Sequence, residues 1–201
     1  MTSETNTSTD RAKSRGALIG LAALFFLPLL GSFWLYYIGG WRPAGSTNNG
    51  ELISPVRQLS EIRLQKLDGT PLDAESFSGK WTFVYIDAGN CDETCRNALW
   101  AIRQTRLLLA QDMDRVNRVF VAETACCDRE FLAAEHPGLQ VVEPSPLGGA
   151  ASLAVFPREA GVPYVYIVDP LGNLMMRFDT RQNPKGLLVD IEKLLKLSHI
   201  G

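Results

Sequence analysis

The sequence has no excess of positive charge: 20 Lys and Arg stand against 22 Asp and Glu, for a formal net charge of −2. The basic residues are scattered and form no stripe that would neutralise a phosphate backbone, so nucleic acid is not an expected partner. Cysteine is sparse, four in 201 residues, too few for the framework of a disulfide-rich secreted domain. Histidine is rarer, with only His136 and His199. No internal repeat is visible, which argues against a solenoid or propeller.

One region also lacks charge altogether. Gly16 to Ile38 contains no Asp, Glu, Lys or Arg, and at 1.5 Å per residue the run spans about 35 Å, against roughly 30 Å of bilayer hydrocarbon. This reads as a transmembrane helix, and Pro28 within it is tolerated in such helices. A cleaved signal peptide is the competing reading, but its apolar region is usually about 7 to 15 residues and ends at a small-residue cleavage site not evident here. Arg11, Lys13 and Arg15 crowd the N-terminal flank while Arg42 alone lies close on the other side. The positive-inside rule then places the N-terminus in the cytoplasm. Trp34, Tyr36, Tyr37 and Trp41 suit an aromatic belt at the outer interface. The expected organisation is a cytoplasmic tail (1–15), a single-pass anchor (16–40), a linker (41–51) rich in small and polar residues, and a folded domain (52–201). In a bacterium the anchor lies in the inner (plasma) membrane and the domain in the periplasm; in a mitochondrion the domain faces the intermembrane space.

The remaining roughly 150 residues suit one domain with a single core, and the 46% hydrophobic content argues against disorder. Ile62 to Leu67 ends in the turn signal Asp68-Gly69, and Ser78-Gly79-Lys80 precedes the apolar run Trp81 to Ile86, a buried central strand. From Asp92 to about Gln111, Cys95, Leu99, Ile102, Arg106 and Leu109 recur at helical spacing. Val116 to Val121 reads as the next strand, Arg129 to Glu135 as a short helix, and Leu139 to Val142 as a short extended piece. Tyr164 to Val168 and Asn173 to Phe178 flank the turn Asp169-Pro170-Leu171-Gly172 and form an antiparallel pair, with Asp169 and Asp179 as turn residues. Leu187, Leu188, Ile191, Leu194 and Leu195 give a final helix its apolar face. Strand, helix, strand, helix, hairpin, helix describes an α/β, thioredoxin-like three-layer fold with a central mixed sheet, preceded by the transmembrane helix.

The chemistry concentrates at Gly89-Asn90-Cys91-Asp92-Glu93-Thr94-Cys95. Here a strand gives way to a helix, so Cys91 falls near the helix N-terminus and Cys95 about one turn on, close enough for the sulfurs to meet. Free N–H groups and the positive end of the helix dipole favour a thiolate there, while Asp92 and Glu93 oppose it. Cys91 is the expected nucleophile and Cys95 the resolving thiol. Two cysteines four apart on a helix are also compatible with core residues or a passive disulfide.

Gly79-Lys80-Trp81 running into Val84-Tyr85-Ile86, then CxxxC opening a helix, resembles the SCO/SenC-like family of cytochrome c oxidase assembly proteins over most of residues 60–197. The resemblance implies a thioredoxin fold on one N-terminal anchor, copper held by the two cysteines and a distant histidine, and work on the copper site of a respiratory oxidase subunit. The histidine would precede the strand at Tyr164, where this chain reads Glu159-Ala160-Gly161-Val162-Pro163. The prolines within and after the family's CxxxC are replaced by Asp92, Glu93, Thr94 and Arg96. This is the pattern of a divergent member without the copper-ligand histidine. Gly161-Val162-Pro163 is instead similar to the cis-proline loop of thioredoxins, which lies beside the dithiol and contacts substrate backbone, making Val162 and Pro163 the implied substrate contacts. On the residues alone, Pro163 is a strand-initiating proline.

Soft thiolates suit Cu(I), so Cys91 and Cys95 are the metal ligands if copper is bound, whereas a stable Cu(II) site wants nitrogen. His136 is expected in an exposed loop and His199 in a frayed terminus. Cys126 and Cys127 follow a strand and are expected near the edge of the dithiol helix as spectators, an electron relay or added ligands being the alternatives. The expected function is a membrane-anchored thiol-disulfide oxidoreductase with no required cofactor, serving a protein substrate such as an oxidase subunit. A Cu(I) chaperone and a non-catalytic assembly scaffold with a structural disulfide are the alternatives.

Overall fold

The computed structural model describes residues 7–39, 47–124, 126, 128–198 and 200. Trp41, Arg42, Cys127, His199 and the linker up to Ser46 lie outside them, as do the side chains of Arg11 and Lys13. The chain divides into two compact units between residues 46 and 47.

The first unit contains α1, Thr7–Tyr37. Its stretch Arg15–Tyr37, 23 residues, is long and apolar enough to cross a membrane, and none of it is buried against protein. Trp34, Tyr36 and Tyr37 lie exposed near its C-terminal end.

The second unit is built on one mixed sheet of eight strands in the order β1-β8-β7-β4-β5-β6-β2-β3. The strands are β1 (Glu51–Gln58), β2 (Leu64–Lys66), β3 (Pro71–Leu72), β4 (Trp81–Asp87), β5 (Val116–Ala122), β6 (Gln140–Pro144), β7 (Tyr164–Val168) and β8 (Asn173–Asp179). Pairings β4–β5 and β5–β6 are parallel and the remainder antiparallel. The helices are α2 (Glu93–Leu108), α3 (Arg129–Glu135), the single turn α4 (Gly149–Ser152) and α5 (Pro184–Leu197).

β4 is central because it is apolar on both faces, which a strand covered on both sides requires. Trp81, Phe83 and Tyr85 point into one core with Leu99 and Ile102 of α2, Leu132 of α3, and Leu187 and Ile191 of α5. Val84 points into the other, with Phe77, Leu153, Phe156 and Tyr166. β8 alternates buried Leu174, Met176 and Phe178 with half-buried residues. The hairpin before it closes as expected: the Asp169 carboxylate accepts from Leu171 N and Asn173 N, and Gly172 takes φ +80°, open to glycine at no steric cost.

Two features depart from the sequence reading. β1 carries no apolar alternation and buries only Ile53. It is a strand because it pairs with β8 at the sheet edge, where a proline such as Pro55 is tolerated. The helix expected to reach Gln111 ends at Leu108, followed by a 3₁₀ turn over Ala110–Arg115, and Ala110 at φ +50° marks the break.

The start of the domain is fastened to α5. The buried Asp190 carboxylate accepts from Asn49 N, Asn49 Nδ2 and Gly50 N at 2.7–3.0 Å, and Lys193 Nζ donates to Thr47 Oγ1.

Candidate functional site

β4 ends at Asp87 and α2 begins at Glu93 after five intervening residues, so Cys91 lies in the junction and Cys95 in the first turn of the helix. Asp92 is the N-cap, its carboxylate accepting from Cys95 N at 3.0 Å, which satisfies one of the four free N–H groups at the helix start. Cys91 sits at φ +34°, a region that costs a non-glycine residue of order 1–3 kcal/mol and is concentrated at functional sites. The two sulfurs are joined in a disulfide with Cα atoms 5.0 Å apart. Cys91 retains 6% exposure and Cys95 none. Both cysteines are buried, and the residue with the greater exposure is the one expected to act as nucleophile.

The junction is held from three sides. Asp87 accepts from Tyr85 Oη at 2.7 Å and from Ala88 N at 2.7 Å; burial and the Asp87 carboxylate push the Tyr85 phenol well above its ordinary range. Gly89 N donates to Thr124 Oγ1 at 2.9 Å, and Glu123 N donates to Asp87 O at 2.9 Å. These bonds bring the segment after β5 to the dithiol loop. Cys126, in that segment, is half-buried and packs against the core that contains Cys91 and Cys95.

The antiparallel register β4–β7 pairs Tyr85 with Val165, and two residues further it places Pro163 opposite Asp87. The Gly161–Pro163 segment thus reaches the same end of the sheet as the dithiol loop. Pro163 is buried and Val162 half-buried; the Pro163 carbonyl accepts from Thr180 N and Oγ1, and the Gly161 carbonyl from Arg181 Nη1. The likeness to a cis-proline loop does not extend to the peptide bond, because among the described residues the cis bond precedes Pro55 and Val162–Pro163 is trans.

His136 corrects the sequence reading. It is 4% exposed, not in an open loop, because it caps α3 and the following turn folds over β5, where buried Arg118 donates to Pro137 O at 2.6 Å. Burial lowers its pKa first, and the Arg118 and Arg103 guanidiniums lower it further. Arg118 has its own pKa lowered to about 10 by burial, with Arg106 and Arg103 nearby. His136 faces this basic cluster. Among the described residues, no group of three or more His, Cys, Asp or Glu is arranged to hold a metal ion.

The sequence reading named Cys91, Cys95, Val162 and Pro163; the structure adds Tyr85, Asp87 and Thr124 around the dithiol loop. Asp87 left a trace in the sequence, as the acid that ends an otherwise apolar strand four residues before Cys91; Thr124 left none.

Fold and site together define a thioredoxin-like domain with a CxxxC disulfide at the strand-to-helix junction. The chain belongs to the family described as "Transmembrane-like, thioredoxin-like, C-terminal domain", whose model matches residues 81–198, more than half its length. No curated protein matches the sequence. Among solved structures, it is similar to apo Sco1 from Thermus thermophilus (TM-score 0.60, 17% identity, 75% of this chain and 99% of that one). Yeast Sco1 with copper bound gives a TM-score of 0.57 at 16% identity, over 76% and 95% of the two chains. The thioredoxin domain of a thiol-disulfide oxidoreductase from Bacteroides vulgatus gives 0.50 at 16% identity, over 72% and 96%. At these identities the likeness is one of fold.

Proposed function

We propose that the protein is a membrane-anchored thiol-disulfide oxidoreductase, a divergent relative of the Sco proteins that assists assembly of the copper site of a respiratory cytochrome c oxidase. Its N-terminus is cytoplasmic, α1 crosses the inner membrane once, and the domain works in the periplasm, where disulfides persist. The carrying observation is the Cys91–Cys95 disulfide at a helix start, with Cys91 the more exposed of the two residues and Cys95 fully buried.

In the reducing direction, the Cys91 thiolate attacks a substrate disulfide and releases one substrate thiolate. The Cys95 thiolate then attacks Cys91 Sγ in the mixed disulfide and releases the second. Two electrons pass to the substrate, the Cys91–Cys95 bond forms, and two protons follow to the substrate sulfurs. A dithiol reductant must restore the pair. The start of α2 stabilises the Cys91 thiolate, and Val162 and Pro163 are the proposed substrate-facing residues.

Trapping tests this reading. Cys95→Ser in the reduced full-length protein should accumulate a mixed disulfide at Cys91 with an oxidised peptide, seen by mass spectrometry, while Cys91→Ser should form none. Equal exchange by wild type and Cys91→Ser would overturn it.

A second reading, delivery of Cu(I) as cargo, is favoured by the copper-bound Sco1 relative and by the donor set: once reduced, two thiolates suit low-coordinate Cu(I). Against this reading, the segment Glu159–Pro163, where the resemblance would put the third ligand, contains no histidine, and His136 faces Arg118 and Arg103. Anaerobic Cu(I) titration separates the readings, because a chaperone binds one equivalent in a manner lost with Cys91→Ser and Cys95→Ser.

A further inference from the structure

Outside the dithiol site, a group of polar atoms is buried between β5, the second half of α2 and the turn after α3. Arg118 and His136 are each 4% exposed. The Arg118 guanidinium donates from Nη2 to Pro137 O at 2.6 Å. Its Nε and Nη1, and Nδ1 of His136, have no hydrogen-bond partner among the described residues. Because Pro137 directly follows His136, the one bond that is made holds the guanidinium against the turn carrying the imidazole. Buried polar groups are nearly always partnered, so three orphaned atoms in one place point to a ligand.

The ligand's sign follows from the surroundings. Arg118 keeps its proton at neutral pH, since burial, with Arg106 and Arg103 nearby, lowers its pKa only to about 10. It is in no ion pair among the described residues, whereas Arg106 is paired with Asp114 at 3.4 Å and Arg103 with Glu135 at 3.8 Å. Arg96 is a further cation nearby: its guanidinium lies 4.5 Å from the centroid of the Phe131 ring, which meets His136 in a T-shaped contact at 5.6 Å. Asp114 and Glu135 thus offset Arg106 and Arg103, and Arg118 is left uncompensated. A buried charge without a counter-charge is strongly disfavoured.

We infer that this cluster binds a small monovalent anion of chloride size, held on a free edge of the Arg118 guanidinium and by His136 Nδ1–H. The guanidinium is a planar fork of five N–H donors, and hydrogen bonds between ionised groups are stronger than neutral ones. The way in is beside Glu135, whose side chain is 60% exposed and whose contact with Arg103, at 3.8 Å, is longer than a hydrogen bond. An exposed pair of this kind is weak, so the carboxylate turns into solvent when another anion enters. Once bound, the anion ties β5 to the turn after α3. The inference stands independently of the redox reading.

The test compares full-length protein in detergent in sodium chloride and in sodium gluconate at equal ionic strength, gluconate being too large for a buried site. The thermal midpoint of the domain, read by near-ultraviolet circular dichroism, should rise in chloride alone. The rise should be about 3–6 °C for each tenfold increase in chloride above its dissociation constant. His136→Gln should weaken this response, Arg118→Met should abolish it, and Lys80→Gln, at an exposed turn, should leave it intact. A wild-type midpoint equal in the two salts, or a chloride response that survives Arg118→Met, overturns the inference. If Arg118→Met does not fold, wild-type crystals grown in sodium bromide decide: an anomalous bromide peak against Arg118 sustains the site, and no peak there overturns it.

Discussion

At the scale of single residues, the site joins a strained backbone to a capped helix. Cys91 holds φ +34° while Asp92, beside it, spends its carboxylate on Cys95 N. Asp92→Ala should cost about 1 kcal/mol in urea unfolding, the usual worth of an N-cap, and should raise the reactivity of Cys91 toward iodoacetamide at neutral pH, since it removes a negative neighbour. His136 gives the domain a pH dependence. Its folded pKa lies below the ordinary 6.5 because of burial and the Arg118 and Arg103 guanidiniums, with Glu135 opposing. The unfolded chain therefore binds a proton at higher pH than the folded one, and stability, full above about pH 6.5, falls as pH drops through the folded value. Urea unfolding at pH 7.5 and 5.0 should show this loss, and His136→Gln should reduce it.

At the scale of elements, α2 has two sides with different consequences. Leu99 and Ile102 are fully buried, so Leu99→Ala should cost about 2–5 kcal/mol through lost burial and a cavity. Leu107, on the exposed side, should cost less than about 0.5 kcal/mol on the same change. Both follow from thermal or denaturant unfolding. This two-sidedness was legible in the sequence, as were β4, β5, the β7–β8 hairpin and the final helix, because each carries its burial as periodicity or as an unbroken apolar run. β1 was not legible: an exposed edge strand is specified by its neighbour's hydrogen bonds, which leave no apolar pattern. The burial of His136 was hidden for a similar reason, since it depends on Arg118, 18 positions earlier, and on a turn folding back over another strand.

At the scale of the whole molecule, the mixed sheet assembles the site from segments remote in sequence. β4 delivers the dithiol loop, β5 the segment with Thr124, and β7 the Gly161–Pro163 segment. The cysteines were legible because their spacing at a strand end is local; their supports come from strand order. The fastening of Asn49 and Gly50 to Asp190 has a similar reach. Asp190→Ala leaves two backbone donors without their acceptor, at a cost of about 1–3 kcal/mol, measurable by urea unfolding. A version of the domain starting at Leu52 should be destabilised relative to one starting at Thr47, because it leaves a buried carboxylate without these donors. In mechanical terms, Thr47, Asn49 and Gly50 transfer load to α5 before β1 begins, so tension arriving along the chain is carried by the last helix, and the edge ladder between β1 and β8 is spared.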